Sequence, residues 1–231
     1  MEMTGNSFKF GLDIIDHVIV EALRQALENV MPDIMIDNNL QERNGYGQFR
    51  WNAIIAQLRE KCQHLGWLDL GICKRGAWKT PVLFHPASRN LFTLMTEGTF
   101  VEVQRRKEKG KHYLCGGASY NHNLQPQMEQ MQMDLPPVER TAEKWVAESR
   151  EQLASAVHLD VGEINGHILV LFDVHDDKLL SVRAVRVTSD LAISTEEEDW
   201  SEYIRMPYEA TQTVVPQQND DDEGESLVEL L

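Results

Sequence analysis

The sequence has few cysteines, no long apolar run and no recognisable leader. Cys62, Cys73 and Cys115 are odd in number and widely spaced, which suits free thiols in a reducing cytosol better than a disulfide framework. No apolar run approaches the ~20 residues that span a bilayer. The first ten residues lack the basic and apolar regions of a signal peptide. These absences predict a cytoplasmic protein with no membrane segment.

Familiar catalytic motifs are also missing from the sequence. It contains no Gly-rich phosphate loop, no paired Cys-x-x-Cys, no His-Glu-x-x-His and no nucleophile elbow. We therefore predict neither a metal nor a cofactor. One looser pattern, Asp160 with Asp-Val-His-Asp-Asp-Lys at residues 173–178, imitates the acidic residues and lysine of metal-dependent nucleases. Because aspartate is favoured in turns, a turn between two strands is the preferred interpretation of residues 173–178.

What the sequence does have is an uneven distribution of charge. The 231 residues carry a formal charge of −15, yet residues 41–115 hold 13 lysines and arginines against 6 acids, a charge of +7. The rest of the chain therefore carries −22. Residues 71–95 contain four basic side chains and no acid at all. This division predicts an anionic partner for the middle of the chain, or docking of the acidic flanks onto it.

Hydrophobic periodicity predicts two helices followed by short strands. Apolar residues recur at helical spacing over residues 12–30, where Pro32 is expected to end the helix, and again over 49–66. Short apolar segments separated by turns then predict strands, which lie at residues 67–73, 77–85, 91–98, 99–107 and 112–117. Pro81 marks the second strand as an edge strand or a bulged one. Five such strands predict an antiparallel meander.

The second half of the chain predicts further α and β elements. Residues 138–207 contain a helix, a strand pair and a short final helix that begins with Thr195 and Glu198 in capping-box spacing. The expected fold is α+β: N-terminal helices packed on an antiparallel meander of a sheet of about seven strands, then a helix, a β-hairpin and a short helix. Four segments follow: helices and basic sheet at 1–120, a Gln/Met-rich connector at 121–137, residues 138–207, which can share the first domain, and an acidic disordered tail at 208–231.

Basic and aromatic residues are interleaved in the middle of the chain, which predicts nucleic-acid binding. Lysine and arginine neutralise phosphates, and exposed aromatic rings stack on bases. The candidate phosphate contacts are Arg75, Lys79, Arg105, Arg106, Lys107 and Lys109, with Trp78 or Tyr113 stacking. The leading hypothesis is therefore a non-catalytic binding protein with an anionic partner, most simply nucleic acid. The competing interpretation is that the cations solvate turns and the aromatic rings form the core.

A metal-independent nuclease, such as a toxin-type effector, is the second hypothesis. It needs a cation beside the phosphate and a general acid or base. His112 and Tyr113 are the candidate acid and base, and Arg50 or Arg75 would steady the phosphate. His85 lies at another predicted strand end.

A protein-interaction module is the third hypothesis, with a partner bound through the acidic flanks or the C-terminal tail. Residues 219–231 join an acidic run to a leucine-rich end. Such a segment can fold onto a basic groove, and on this protein's own basic segment it would act as an electrostatic autoinhibitor. The oligomeric state is open under all three hypotheses.

The middle of the chain resembles a known group of sequences. The segments FRWN at 49–52, KRGAWK at 74–79, NLFTLMTEGTFVEVQ at 90–104 and HYLCGGASYNHNL at 112–124 are similar to an uncharacterised family of small cytoplasmic proteins from Gram-positive bacteria and their mobile elements. The resemblance covers about residues 45–125. It implies a shared fold and a bacterial or phage setting, with no catalytic residue. The family's recurring polar positions correspond to Arg50, Asn52, Arg75, His112, Tyr113 and Asn121.

Overall fold

The computed structural model describes residues 9–11, 15–37, 45–75, 78–106, 108–124 and 138–205. Its α-helices are α1 (Ile15–Arg24), α2 (Met31–Asp37), α3 (Tyr46–Gln63), α4 (Glu97–Arg105), α5 (Tyr113–Ala118) and α6 (Val138–Ala156). Its strands are β1 (Asp69–Arg75), β2 (Trp78–His85), β3 (Asn90–Thr96), β4 (Gly166–His175), β5 (Lys178–Val187) and β6 (Ile193–Asp199). A π-helical turn, Gln25–Val30, joins α1 to α2. Short 3₁₀ turns occupy Lys109–Lys111, His122–Leu124, Val161–Glu163 and Ser201–Arg205.

Six described strands form one mixed sheet in the order β1-β2-β3-β4-β5-β6. Strands β1 to β3 form one antiparallel meander, and β4 to β6 form another. The two meanders meet where β3 and β4 run parallel, with Thr93 opposite Leu169. Helices α4, α5 and α6 lie in the connection between these parallel strands. The sheet is therefore two three-stranded halves joined at one parallel seam.

Helices cover both faces of the sheet. Successive side chains along a strand point to opposite faces, and here both faces carry apolar side chains that need to be buried. On one face, α1, α2 and α3 form a core with the strands that includes Ile19, Leu23, Ile54, Leu58, Leu83, Phe92, Ile168 and Phe172. On the other face, α4, α5 and α6 form a second core that includes Phe100, Leu114, Leu153, Val82, Leu91, Leu169 and Val185. Each fully buried large apolar side chain contributes about 1.5–3 kcal/mol to folding.

The predicted strand at residues 99–107 is wrong, because most of this segment belongs to helix α4. The Thr96 side chain caps the helix by accepting a hydrogen bond from the Thr99 N–H at 3.3 Å. Phe100 and Val103, three residues apart, are the buried residues of α4. The apolar pattern therefore has helical spacing, although short alternation also suggested a strand.

The predicted strand at residues 112–117 is also wrong, because these residues begin helix α5. Its two glycines allow contacts that no other residue could make. A Cβ on Gly116 would lie 2.7 Å from the backbone nitrogen of Arg150 in α6. A Cβ on Gly117 would lie 2.8 Å from the ring of His167 in β4. Helix α5 is therefore wedged between α6 and the sheet by tertiary packing.

Two proline-based predictions need correction. Pro32 does not end the first helical region, which continues through the π-helical turn into α2. Proline has no N–H to donate, and its ring crowds the carbonyl four residues earlier, which here belongs to Glu28. Glu28 lies in the π-helical turn, whose wider backbone accommodates the proline ring. Pro81 does not place β2 at an edge, since β2 pairs with both β1 and β3. Pairing with β3 nevertheless stops at Val82, the residue after Pro81.

The predicted helix start at Thr195 and Glu198 is wrong, because residues 193–199 form strand β6. Arg183 and Arg186 of β5 hold this acidic strand through ion pairs with Glu197 at 2.7 Å and Glu196 at 3.0 Å. Only a 3₁₀ turn, Ser201–Arg205, follows the strand. Cross-strand charge pairing therefore decides the conformation of a segment whose local pattern favours a helix.

Several sequence-based expectations are confirmed. The class is α+β, with the N-terminal helices on one face of the sheet. Helices α3 and α6 and the β4–β5 hairpin lie where periodicity places them. Asp176 and Asp177 form the hairpin turn with positive φ angles of 47° and 62°, which this turn type favours in aspartate. Within the described ranges, no helix is long and apolar enough to cross a bilayer. The predicted connector at 121–137 and tail at 208–231 fall largely outside those ranges.

Candidate functional site

A cavity opens where β2 and β3 separate. The ladder between these strands runs from the pair His85–Asn90 to the pair Val82–Thr93 and then ends. Pro81 has no N–H to offer a continuing ladder. Lys79 and Thr80 on one strand, and Leu94 and Met95 on the other, line the resulting cavity, which has a volume of about 920 Å³. The split in the sheet is therefore the structural origin of the cavity.

Helices from both faces of the sheet complete the walls. Thr99, Val103 and Arg106 follow one side of α4 at spacings of four and three residues. His112, the N-cap of α5, and Tyr113, its first residue, also line the cavity, and α6 adds Trp145 and Gln152. Trp51 enters from α3. The remaining lining residues are Lys74, Glu108 and Lys111.

Positive charge dominates the cavity. Lys74 on β1 lies directly opposite Lys79 on β2, an arrangement of like charges that costs stability in a sheet. Arg106 adds a third cation. Within the described part of the chain, none of these three side chains has an ion pair. The only acid that lines the cavity there, Glu108, is engaged by Lys111 at 3.0 Å.

Aromatic rings border the charged part of the cavity. Trp145 is 42% exposed although it is a large hydrophobic side chain. Trp51 is half-buried and packs edge-on against Phe172, with 6.0 Å between the ring centroids. Tyr113 is only 5% exposed and lies beside the His112 ring. Trp145 is therefore the ring best placed to stack on a planar ligand.

A hydrogen bond fixes the role available to His112. This residue caps α5, and its Nδ1 accepts a hydrogen bond from the Leu114 N–H at 3.3 Å. In the neutral ring the proton is then on Nε2, because the two ring nitrogens cannot both accept. The Nε2–H is therefore the donor group of His112 in this tautomer. To act as a base at Nε2 it would have to break its cap.

The structure brings four of the predicted site residues together in this cavity: Lys79, Arg106, His112 and Tyr113. Arg105 is exposed on α4 but is not a lining residue. Arg75 of β1 and Trp78 of β2 are backbone register partners. The side chains of Arg75, Trp78 and Lys109, and the whole of Lys107, lie outside the described residues.

Arg50, the predicted phosphate partner of a nuclease, lies apart from these residues. It belongs to α3 and is half-buried, whereas its neighbour Trp51 reaches the cavity. Burial lowers the pKa of the Arg50 guanidinium. Its Nε has no hydrogen-bond partner among the described residues. The structure therefore does not bring Arg50 together with His112 and Tyr113 in the cavity.

Arg89 of the basic segment, His85 and Asp160 have structural contacts. The Arg89 guanidinium donates to the carbonyl oxygens of Glu163 at 2.5 Å and Gly162 at 3.2 Å. His85 Nδ1 and the Ser88 hydroxyl share a hydrogen bond of 2.8 Å. Asp160 begins the 3₁₀ turn that contains Gly162 and Glu163. These residues stabilise loops and strand ends away from the cavity.

The sequence did not identify Trp145, Thr80 and Gln152 as site residues. Trp145 shares a helical spacing with Ser149 and Leu153, which are buried. This spacing places Trp145 near the core, whereas the ring lies at the cavity mouth. The sequence showed only that Trp145 lies near the start of a long amphipathic helix. This position does not reveal which strands lie beside the ring.

Comparison with known proteins identifies a family but no characterised relative. No curated protein and no solved structure is detectably similar to this chain. One family model matches residues 11–230, far beyond the segment of about 45–125 on which the sequence resemblance rests. The match includes every described strand and helix. The chain therefore belongs to the family of unknown function DUF5986.

Proposed function

We propose that this protein is a non-catalytic nucleic-acid-binding protein of the cytoplasm of a bacterium or its phage. The cavity between β2 and β3 is the proposed binding site. The observation that carries the proposal is the pair of facing lysines, Lys74 and Lys79, which lie in the same cavity as Arg106 and Trp145. Facing like charges cost stability, and neither lysine has an acidic partner among the described residues. An anionic ligand with planar bases would neutralise the charges and stack on the indole.

The form of the cavity favours single strands over duplex. A duplex presents its phosphates on a broad convex surface and hides the faces of its bases. Single-strand binding proteins combine a positively charged groove with aromatic rings that stack on exposed bases. Trp145 and the three cations offer that combination within one concave site. We expect single-stranded RNA or DNA to bind more tightly than duplex DNA.

The test is a fluorescence-anisotropy titration with labelled single-stranded RNA, single-stranded DNA and duplex DNA at two salt concentrations. Three phosphate contacts predict a slope of about −2 in log affinity against log salt, so fourfold more salt weakens binding about 20-fold. No binding of any of the three at low salt would overturn the proposal.

An aromatic pair of variants locates the binding site. Trp145→Ala should weaken single-strand binding about tenfold, since stacking contributes about 1–3 kcal/mol per base. Phe49→Ala is the matched control, because Phe49 is 40% exposed and lies outside the cavity lining. Equal losses in both variants would mean that the ligand lies elsewhere.

A nuclease remains the second candidate because His112 and Tyr113 line the same cavity as Lys79 and Arg106. A donor hydrogen bond from His112 to phosphate serves binding, whereas base catalysis would require a second tautomer. Denaturing gels of the titrated strands separate the two functions. Intact strands support binding alone. If the wild-type protein shortens the strands and the His112→Ala variant leaves them intact, the protein is a nuclease.

A further inference from the structure

The groove beside α6 reverses its charge within a few residues. Beyond Gln152 the cavity continues into a second depression of about 670 Å³, between the edge strand β1 and α6. Lys74 and Gln152 line both depressions. The second one also contains Glu148 and Glu151. The two depressions are therefore neighbouring parts of one groove with opposite charge.

Negative charge increases further along α6. A third depression contains Glu151, Asp160 and Glu163 around His158. Lys144 lies 3.7 Å from Glu148 and offsets that carboxylate in part. Within the described residues, Glu151 has no ion pair, and the carboxylates of Asp160 and Glu163 hydrogen-bond to backbone groups of their own turn. The Arg89 guanidinium contacts the backbone carbonyl oxygens of Glu163 and Gly162 in this turn, and within the described residues it forms no ion pair with either carboxylate. A phosphate chain that extended in this direction would meet growing repulsion.

The size of the basic cavity also limits what it holds. A volume of about 920 Å³ is typical of sites for small ligands, which span roughly 300–1,000 Å³. Proteins that bind the interior of a strand instead follow about 4–16 nucleotides along a continuous basic path. Here the apolar Leu94, Met95 and Val103 form part of the wall, and α6 turns acidic beside it. The basic path is therefore short.

We propose, on the basis of the function proposed above, that the cavity takes one terminal nucleotide with its phosphate rather than an internal stretch of a strand. The terminal base stacks on Trp145, and Lys74, Lys79 and Arg106 neutralise its phosphate and the phosphates next to it. The acidic wall at Glu151 prevents the strand from passing through. A free nucleoside monophosphate has the same chemistry as a phosphorylated strand end, so the two sources need separate measurements.

Linear and circular single-stranded DNA of the same sequence and length test this proposal directly. The linear strand, phosphorylated at its end, should bind at least about tenfold more tightly than the circle, which has no terminus. Its affinity should change little with length, whereas internal binding makes affinity grow with the number of overlapping sites. Equal binding of circle and linear strand would overturn the strand-end proposal and leave nucleic-acid binding intact.

Adenosine 5′-monophosphate is the probe for the free nucleotide. Competition with the linear strand supports a nucleotide-sized site. Absence of competition at concentrations far above the strand's Kd would overturn it. If the nucleotide binds but no strand does, the nucleic-acid function fails while the cavity still takes a nucleotide.

A charge reversal at the acidic wall provides a second, independent test. Glu151→Lys should open the groove to continuous binding, so that the circle gains affinity and the length dependence appears. Glu143→Lys is the matched control, because Glu143 is exposed on the same helix and lines none of the three depressions. An equal gain for the circle in both variants would indicate a general charge effect and would contradict the role of the wall.

Discussion

The cationic side chains of the two halves of the sheet differ in their ion pairing. In the half formed by β4 to β6, Arg183 contacts Glu97 and Glu197, and Arg186 contacts Glu196. In the half formed by β1 to β3, Lys74 and Lys79 face each other and, within the described residues, neither has an acidic partner. Paired arginines stabilise the fold, whereas facing lysines cost stability. This difference supports our proposal that the anion site lies in the first half of the sheet.

The seam between the halves contains a buried polar network that should make the fold sensitive to acid. The Thr93 hydroxyl of β3 and His167 Nε2 of β4 share a hydrogen bond of 2.9 Å, and Asn121 Oδ1 accepts from the backbone N–H of His167. Burial lowers the pKa of His167 to about 3, and the charge of Arg186 adds to the effect. In the unfolded chain the pKa is about 6.5.

The largest predicted effect is therefore a loss of stability between pH 6.5 and pH 3. Below pH 6.5 His167 is protonated in the unfolded chain but stays neutral in the folded protein. The free energy of unfolding therefore falls by up to about 1.4 kcal/mol for each pH unit. Between pH 6.5 and pH 5, the free energy of unfolding measured in urea should fall by about 1.6 kcal/mol because of this residue. His167→Gln should reduce the pH dependence by that amount. An unchanged pH dependence would contradict a buried neutral histidine at the seam.

Removal of a paired arginine should be the next largest effect. Arg183 is 30% exposed and lies within 3.0 Å of carboxylate oxygens of Glu97 and Glu197. Arg183→Ala leaves these carboxylates without their shared cation, and we expect a loss of about 2 kcal/mol, less than for a fully buried pair. Lys79→Ala should stay within about 0.5 kcal/mol of the wild type. Chemical denaturation measures both, and equal losses would remove the distinction between the halves.

The facing lysines should affect binding and leave the fold intact. Lys74→Ala or Lys79→Ala should each lower the salt dependence of single-strand binding by about 0.7 in slope. Stability should stay constant or rise, since one like charge is removed. Anisotropy at several salt concentrations and a denaturation curve give the two results. A variant that loses stability and keeps its salt slope would show that the lysines are structural.

The smallest predicted effect concerns residues 219–231, whose structure is not described. If this acidic segment competes for the basic cavity, its deletion should strengthen single-strand binding about threefold at low salt, the size expected of exposed charge interactions. The gain should shrink at high salt because of screening. The same affinity with and without the segment at low salt would exclude autoinhibition.

The parts of the fold that depend on local pattern were predictable from the sequence. Helix α3, helix α6 and the β4–β5 hairpin follow from periodicity and turn chemistry. Helix α5 was not predictable, because Gly116 and Gly117 matter only through α6 and His167, which are distant in sequence. Strand β6 likewise depends on arginines in β5. Tertiary contacts decided the elements whose local pattern was ambiguous.

The candidate site was predictable in its charge but not in its shape. The basic middle segment supplied Lys79, Arg106, His112 and Tyr113, because all four lie within 41–115. Pro81 indicated a disturbed strand, but only the structure shows that the disturbance separates β2 from β3. Trp145 comes from the long connection to β4. No local pattern could have placed it beside the lysines.

Arg105 and Arg106 offer the most direct test of the central claim, that nucleic acid binds in the cavity between β2 and β3. The two arginines are adjacent and exposed, but only Arg106 lines the cavity. Affinities of Arg106→Ala and Arg105→Ala for the same single strand should be measured at one low salt concentration. The cavity predicts a loss of about fivefold for Arg106→Ala and almost none for Arg105→Ala. Equal losses would mean that a diffuse basic surface binds the strand, and would contradict the cavity as the site.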